Sequence, residues 1–215
     1  AIVEKAEANE DDILNDLCNS GVMVIDGTIL YDLVSKLSNE NIKGEFYLTD
    51  IVQIAGQSDR DCCVVEGDEE ELIGINSRVE LALAETITQD RLRELAMENG
   101  ATLIDPSSIY FSFDTKVGQD VTIGPNVVFG PGVEICDGVV IRAFCHIEGT
   151  EVSAKASIGP FARLRPGTKV SEGAKVGNFV EVKNAILEPE AKVSHLSYIG
   201  DALIGEGANI GAGTI

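Results

Sequence analysis

An aliphatic or phenylalanine side chain recurs about every six residues along the second half of the chain. Its eighteen positions are Phe111, Val117, Ile123, Phe129, Ile135, Ile141, Ile147, Val152, Ile158, Leu164, Val170, Val176, Val182, Leu187, Val193, Ile199, Ile204 and Ile210. The step is six residues, except for steps of five after Ile147, Val182 and Ile199. An α-helix repeats every ~3.6 residues and a half-buried strand every two, so neither element explains this period. The pattern is typical of a parallel β-helix built from hexapeptides.

Each hexapeptide is expected to form a short strand and a bend, so that three of them complete one triangular coil. The first place holds the large apolar side chain and the fifth a mostly small one, such as Val127 or Ala162, and both are predicted to point inward. A glycine often follows the first place, where we expect it to relieve the bend. When the three faces are labelled in rotation, all three five-residue steps fall on one face, which supports this register.

Charged and polar side chains interrupt the small, regular places of the repeat near its C-terminal end. His195 lies in the third place, which is otherwise polar or proline and therefore predicted to face outward. Arg165 and Lys183 occupy the second place 18 residues apart, so they are predicted to stack one coil apart, with Tyr198 and Glu181 at the same edge. Because stacked like charges are unfavourable unless an anion shares them, this edge predicts an anion site beside a general base. A solvated polar edge with a plain surface histidine is the alternative.

The first hundred residues predict a mixed α/β structure. "GVMVIDG" and "DCCVVEGD" are interpreted as strands, with helices over Thr28–Leu37, within "GEFYLTDIVQIAG", and from Ser77 to a C-cap at Gly100. No glycine-rich phosphate loop is found. The domain boundaries that follow are an α/β piece over residues 1–76, a connecting helix over 77–103 and the hexapeptide solenoid over 104–215.

Charge and cysteine content exclude some classes of function. The net charge of the 215 residues is −20, of which residues 1–104 carry −16 (7 Lys and Arg against 23 Asp and Glu). Such a chain is not expected to bind nucleic acid or an anionic membrane by bulk electrostatics. Five cysteines without zinc-site spacing predict reduced thiols in a cytosolic protein. There is no membrane-length apolar run or signal peptide, and both ends of the sequence suggest a piece of a longer protein.

Several segments resemble a known bacterial family. "IGPFARLRPGTKVSEGAKVGNFVEVKNA", "SHLSYIGDALIGEGANIGAGTI", "EFYLTDIV" and "GINSRVEL" are similar to the bifunctional N-acetylglucosamine-1-phosphate uridyltransferase / glucosamine-1-phosphate acetyltransferases. The resemblance implies a Rossmann-like nucleotidyltransferase domain, of which residues 1–76 are the C-terminal part, then a connecting helix and a left-handed parallel β-helix. It also implies a cytoplasmic homotrimer that acetylates glucosamine 1-phosphate with acetyl-CoA. A second, Mg²⁺-dependent step then transfers UMP from UTP to the product and yields UDP-N-acetylglucosamine.

The resemblance also assigns roles to particular residues of this sequence. The acetyl-transfer base matches His195, and an acetyl-CoA contact matches Ala212. The remaining matches are sugar-phosphate ligands at Arg165, Lys183, Tyr198 and Asn209, and nucleotide-sugar contacts at Glu4, Asn19 and Asn76, of which Asn76 also reaches the metal. The family's glycine-rich loop, its metal-binding aspartate and its later CoA contacts have no match here. We therefore expect these 215 residues alone to have no uridyltransferase activity and little or no acetyltransferase activity.

Two alternatives remain open at this point, and the histidine content argues against a third. One is a structural or partner-binding hexapeptide solenoid without a ligand at the Arg165 and Lys183 edge. Another is a different sugar acyltransferase or nucleotidyltransferase on the same scaffold. A hexapeptide carbonic anhydrase would need three metal-binding histidines, whereas this sequence has only His146 and His195, and His146 is interpreted as a structural or surface residue.

Overall fold

The computed structural model describes residues 1–4 and 6–215 and divides into two compact units, Ala1–Leu81 and Ala82–Ile215. The boundary between the units falls inside one long helix, α4 (Arg78–Glu98). The predicted helix from Ser77 is therefore confirmed. Its C-terminal cap is Gly100, whose φ of +99° is left-handed and whose N–H donates to the carbonyl of Met97 at 3.0 Å. No helix among the described residues is both long and apolar enough to cross a membrane.

The first unit is built from short helices around a small apolar core. They are α1 (Glu10–Ile13), α2 (Gly27–Val34) and α3 (Ile51–Gln57), with 3₁₀ turns at Leu48–Asp50 and Glu69–Glu71. The carboxylate of Asp26 caps α2 by accepting from the Thr28 N–H. Leu33 of α2 packs with Ile51 and Ala55 of α3. The two helices predicted in this region are thus confirmed, with shorter bounds.

The two strands predicted in the first unit are absent from its described residues. Val24, in the first predicted strand, is 100% exposed, and Val65, in the second, is 87% exposed. A strand forms only where its N–H and C=O groups find partners on a neighbouring strand, and neither segment pairs with any described part of this unit. The α/β prediction for residues 1–76 is therefore wrong for the structure of these residues, and their assignment to a Rossmann-like domain stays a prediction.

The second unit is a parallel β-solenoid, as the six-residue period predicts. It contains sixteen short strands and a 3₁₀ turn at Pro106–Ser108. The strands are β1 (Thr102–Leu103), β2 (Lys116–Val117), β3 (Thr122–Ile123), β4 (Val128–Phe129), β5 (Glu134–Ile135), β6 (Val140–Ile141), β7 (His146–Ile147), β8 (Thr150–Val152), β9 (Ser157–Ile158), β10 (Arg163–Leu164), β11 (Thr168–Val170), β12 (Lys175–Lys183), β13 (Ile186–Leu187), β14 (Lys192–Gly200), β15 (Leu203–Ile204) and β16 (Asn209–Ile210). Every pairing between them is parallel.

The strands form the three faces of a prism. Face 1 contains β1, β3, β6, β9, the first halves of β12 and β14, and β16; face 2 contains β4, β7, β10 and the second halves of β12 and β14; face 3 contains β2, β5, β8, β11, β13 and β15. The steps of five begin at Ile147, Val182 and Ile199, which all lie on face 2. The register deduced from the sequence is therefore confirmed.

The interior is filled by the first and fifth places of the hexapeptides. Phe129, Ile141 and Leu164 of the first place are at most 1% exposed, as are Val127 and Ala174 of the fifth. Burial of these side chains, at roughly 25 cal/mol per Å² of apolar surface, is the main stabilising term of the solenoid.

The turns between faces lie at the fourth place of the hexapeptide, or at the third place in the steps of five. Residues there adopt a positive φ, as in Asp120 (+56°), Lys155 (+59°) and Asn184 (+44°). The expectation that the glycine after the first place relieves the bend is therefore wrong for most of these glycines. Some glycines at that place are instead required because of space: a Cβ at Gly177 would lie 1.8 Å from the carbonyl oxygen of Ser194, and one at Gly124 2.7 Å from the Ala143 nitrogen.

The helix α4 covers the first coil through a buried amide. Gln89 is 3% exposed. Its Nε2 donates to the Phe111 carbonyl at 2.7 Å, and its Oε1 accepts from the Phe111 N–H at 2.8 Å. The side chain thus supplies both hydrogen bonds that a preceding strand would give to this residue. The guanidinium of Arg93 on the same helix donates to the Ile109 carbonyl at 2.9 Å.

Candidate functional site

The predicted anion site lies on face 2, where the register fixes two parallel columns. Glu181 pairs with Arg163 in the coil below and with Tyr198 in the coil above. The neighbouring column stacks Arg165 beneath Lys183, since Leu164 pairs with Val182 and the Arg165 N–H donates to the Val182 carbonyl at 2.9 Å. The two stacked cations and Tyr198 are half-buried. The parallel ladder thus stacks residues that are 17 or 18 positions apart in sequence onto one edge.

Each stacked cation has a carboxylate partner of its own. The Arg165 Nη1 lies 3.0 Å from the Glu181 Oε1, and the Arg163 Nη1 lies 3.9 Å from the same oxygen. The Lys183 Nζ lies 3.8 Å from the Asp201 Oδ2. The carboxylates of Glu181 and Asp201 therefore supply an anionic partner beside each of the stacked cations, as the anion expected at this edge would. A phosphate that binds here competes with these two acids.

His195 is exposed and lies on face 1, at the end that precedes a turn. The turn is made by Leu196, whose φ is +51°. Asn178 pairs with His195 from the coil below. Asn209 lies on the same face in the next coil, where it pairs with Lys192. That register, continued by three residues, places Ala212 directly above His195.

The residues assigned by resemblance therefore form two groups on either side of the Leu196 turn. One group, on face 1, contains His195, Asn209 and Ala212. The other, on face 2, contains Arg165, Lys183 and Tyr198. Glu181 contacts arginines in this structure, Arg165 at 3.0 Å and Arg163 at 3.9 Å.

An open groove of about 470 Å³ runs along this turn. Its lining residues are Phe161, Arg163, Phe179, Val180, Glu181, Leu196, Ser197, Tyr198, Gly213 and Ile215. The groove is apolar on the side of the turn and charged on the side of face 2. It offers space beside Tyr198 and Glu181, whereas His195 lies outside its lining.

An exposed apolar ladder, which the sequence analysis missed, forms the turn between faces 1 and 2. The Phe144 and Phe161 rings stack with centroids 4.9 Å apart, and the Phe161 and Phe179 rings with centroids 5.1 Å apart. Leu196 continues the ladder in the next coil, and the four side chains are between 45% and 59% exposed. All four adopt φ between +51° and +61°, which is unfavourable for bulky side chains. All four occupy the fourth place of the repeat, one coil apart, and this regular spacing of apolar residues could have revealed the ladder from the sequence.

The residues assigned to the uridyltransferase half lie in the first unit and make separate local contacts. Glu4 accepts a hydrogen bond from the Thr49 hydroxyl at 3.2 Å, and the Asn19 side chain accepts from the Gly21 N–H at 3.3 Å. The Asn76 N–H donates to Glu80 at 2.7 Å, which contributes most to a lowered pKa of that carboxyl. No described contact joins Glu4, Asn19 and Asn76.

The described residues do not form a magnesium site by themselves. Among them, no group of three or more His, Cys, Asp or Glu side chains is arranged to hold a metal ion. Asn76 alone supplies one amide oxygen, whereas Mg²⁺ in proteins takes carboxylates together with phosphates and water.

Comparison with known proteins supports the resemblance. Residues 114–149 match the family model "Bacterial transferase hexapeptide (six repeats)". The chain is 59% identical over all 215 residues to the bifunctional protein GlmU of Paramagnetospirillum magneticum and 60% identical to that of Rhodospirillum rubrum. It spans 48% of the length of each relative. The resemblance to the bifunctional family is thus confirmed along the whole chain.

Solved structures add little to this comparison. The acetyltransferase domain of PglB from Neisseria gonorrhoeae FA1090, in complex with acetyl coenzyme A, is 16% identical and aligns over 58% of this chain and 62% of that chain. Its TM-score of 0.45 is too low to carry an argument about this chain.

Proposed function

We propose that the solenoid is the acetyl-transfer unit of a GlmU-type enzyme, which acetylates the amine of glucosamine 1-phosphate with acetyl-CoA. The observation that carries this proposal is the stack of Arg165 and Lys183 beside Tyr198, one turn of the chain away from the exposed His195. Similarity to bifunctional GlmU proteins over all 215 residues supports it.

His195 acts as the general base in this proposal. The sugar amine attacks the thioester carbonyl, the C–S bond breaks, and the amine loses a proton in the same step. An imidazole can accept that proton near neutral pH and pass it to the departing CoA thiolate. The exposure of His195 leaves its ring free for a substrate to approach.

The division of the site by the Leu196 turn suits two substrates. Arg165 and Lys183 hold the sugar phosphate on face 2, where charge-assisted hydrogen bonds to phosphate are strong. Ala212 lies above His195 on face 1, so acetyl-CoA approaches along that face. The sugar then reaches around the turn, past Tyr198, to present its amine to the imidazole.

The proposed assembly is a homotrimer of left-handed prisms. The ladder of Phe144, Phe161, Phe179 and Leu196 supports self-association, because a continuous row of apolar side chains is costly to leave in water. The positive φ of all four residues adds a backbone cost, and burial of the ladder against another copy would offset it. A neighbouring copy on this ladder would also face the groove beside Tyr198.

The uridyltransferase activity is the second part of the proposal. It rests on the similarity to relatives named bifunctional and on the matches at Glu4, Asn19 and Asn76 in the first unit. The substrates would be UTP and N-acetylglucosamine 1-phosphate, with Mg²⁺ bound, and the enzyme would act in the cytoplasm. The activity of the 215 residues in isolation stays a prediction.

The two histidines of the chain provide a matched test. His195→Ala in the full-length protein is expected to abolish acetyl transfer and to leave uridylyl transfer unchanged. His146→Ala is the control, since His146 is also exposed, on β7, but lies outside the site. Acetyl transfer at the wild-type rate by the His195→Ala variant would refute the base assignment.

The phosphate ligands are tested by a separate measurement. Arg165→Ala is expected to raise KM for glucosamine 1-phosphate by roughly tenfold or more, with a smaller change in kcat. An unchanged KM would place the phosphate elsewhere. If glucosamine 1-phosphate also failed to shift the melting temperature of the wild-type protein, a structural solenoid would be favoured instead.

A further inference from the structure

We infer that Asp201, held by Asn184, is a positioning residue that orients the Lys183 ammonium for the sugar phosphate. This inference rests on the proposed function, since it concerns the same anion site. Neither the repeat pattern nor the resemblance points to Asp201 or Asn184. Both are brought to Lys183 by the turn between faces 2 and 3.

The turn stacks Asn184 and Asp201 one coil apart. Both adopt a left-handed conformation, with φ of +44° and +49°, and the Asp201 N–H donates to the Lys183 carbonyl at 3.0 Å. The conformation and hydrogen bond of the backbone therefore fix the position of the Asp201 Cβ relative to Lys183. Asparagine and aspartate are the non-glycine residues that tolerate this region best, because their short polar side chains bond locally.

The two oxygens of the Asp201 carboxylate have different partners. Oδ1 accepts a hydrogen bond from the Asn184 Nδ2 at 2.7 Å, which fixes the rotation of the carboxylate. Oδ2 lies 3.8 Å from the Lys183 Nζ. The Asn184 hydrogen bond, followed by the Lys183 charge, lowers the pKa of Asp201, so the group is ionised at neutral pH.

The ion pair matters for the site more than for folding. The Lys183 and Asp201 side chains are 42% and 65% exposed, and ion pairs this open to water contribute little to stability. A lysine side chain, however, has four rotatable bonds whose freedom must be lost when it binds phosphate. An interaction that already restricts the ammonium reduces this cost and so increases affinity.

Each of the two stacked cations contacts one carboxylate. Arg165 is held by Glu181 in its own face at 3.0 Å, and Lys183 is held by Asp201 at the following turn. Glu181 lies in the adjacent column of face 2, and Asp201 lies in the turn that follows this face. The two stacked cations are therefore restrained by different acids. A free lysine at this position would instead sample many conformations above Arg165.

The test compares Asp201→Asn and Asn184→Ala with wild type in the full-length enzyme. Asp201→Asn keeps the size of the side chain and an acceptor for Asn184 but removes the charge. We expect both variants to raise KM for glucosamine 1-phosphate about three- to tenfold with kcat unchanged. The melting temperature should stay unchanged in Asp201→Asn and fall slightly in Asn184→Ala, because alanine tolerates the left-handed conformation of residue 184 less well. Glu172→Gln is the matched control, since it breaks the exposed Lys155–Glu172 pair (3.1 Å) away from the site and is expected to leave KM unchanged.

A double-mutant cycle separates positioning from a merely structural role. If Asp201 acts through Lys183, Asp201→Asn has no further effect on KM in a Lys183→Ala background. Equal effects in the two backgrounds would overturn the inference, as would an unchanged KM in Asp201→Asn alone. If Lys183→Ala itself left KM unchanged, the proposed anion site would fail, which is a different outcome from the failure of Asp201.

Discussion

At the residue scale, where a glycine follows the first place of a hexapeptide, the distance to the next coil decides whether a larger residue would fit. Gly177 illustrates this, because it lies beneath Ser194, the residue before His195, and a Cβ there would overlap the Ser194 carbonyl oxygen. Gly205 occupies the same place of the repeat near the end of the solenoid. The nearest atom to a Cβ at Gly205 is 3.8 Å away. The constraint at this place therefore comes from the coil stacked above the glycine, which Gly177 has within residues 1–215 and Gly205 does not.

Gly177→Ala is expected to destabilise the protein by about 3 kcal/mol, because the coil that carries His195 must move to admit the methyl group. If the full-length protein has the proposed activity, the displacement should also lower its kcat for acetyl transfer. Gly205→Ala, compared in the same 215-residue chain, is the matched control and is expected to change the free energy of unfolding by about 0.5 kcal/mol or less. Chemical denaturation of the two variants measures both values, and equal stabilities would contradict this account of the glycines.

At the element scale, α4 acts as a cap on the solenoid. A parallel β-helix leaves an open row of N–H and C=O groups at its first coil, and such an edge promotes unwanted pairing unless it is covered. Gln89 satisfies both groups of Phe111 from the buried side of α4. The hydroxyl of Tyr110 in the same coil hydrogen-bonds Glu85 of the helix, which raises the pKa of Tyr110 and lowers the pKa of Glu85.

Gln89→Ala is expected to cost about 2–4 kcal/mol of stability, since it leaves the Phe111 N–H and C=O buried without partners. Thr88→Ala on the exposed side of the same helix is the control, with an expected change near zero. Hydrogen exchange at the Phe111 amide provides a local readout. Unchanged protection of that amide in Gln89→Ala would show that the Gln89 side chain is not what covers this edge.

At the scale of the whole molecule, the two units differ in how much apolar surface they bury. The core of the second unit extends from Ala96 to Ile199 with side chains from every coil between them, whereas the fully buried core of the first unit is Leu33, Ile51 and Ala55. Local stability follows buried apolar contacts and paired backbone groups. The first unit therefore opens more readily than the solenoid.

For the 215-residue chain, we expect amide hydrogen exchange within residues 6–81 to be at least about a hundredfold faster than within the paired strands of the solenoid. Mass spectrometry of peptides from each unit measures this directly. Amides in the loops of the solenoid are the internal control, because they share its fold but lack strand pairing. Equal protection of the two units would mean that the small core of the first unit is sufficient.

The sequence alone predicted the solenoid well, because its repeat is local and every coil imposes the same constraints. The pattern correctly predicted that the first and fifth places point inward. It also correctly placed the three steps of five on one face. In the first unit the sequence predicted the helices but not the absence of strands. "GVMVIDG" and "DCCVVEGD" have strand-like composition, but pairing depends on partners that composition does not reveal.

The stacking of Arg165 beneath Lys183, and of Glu181 beneath Tyr198, was determined by the sequence, because a fixed period converts sequence separation into position along the prism. Only the tertiary structure decided what the side chains do there. It paired Arg165 with Glu181 and Lys183 with Asp201, and it placed His195 on the other side of the Leu196 turn. The physical reason is that turn conformation and side-chain pairing depend on contacts between coils, which a one-dimensional period does not contain.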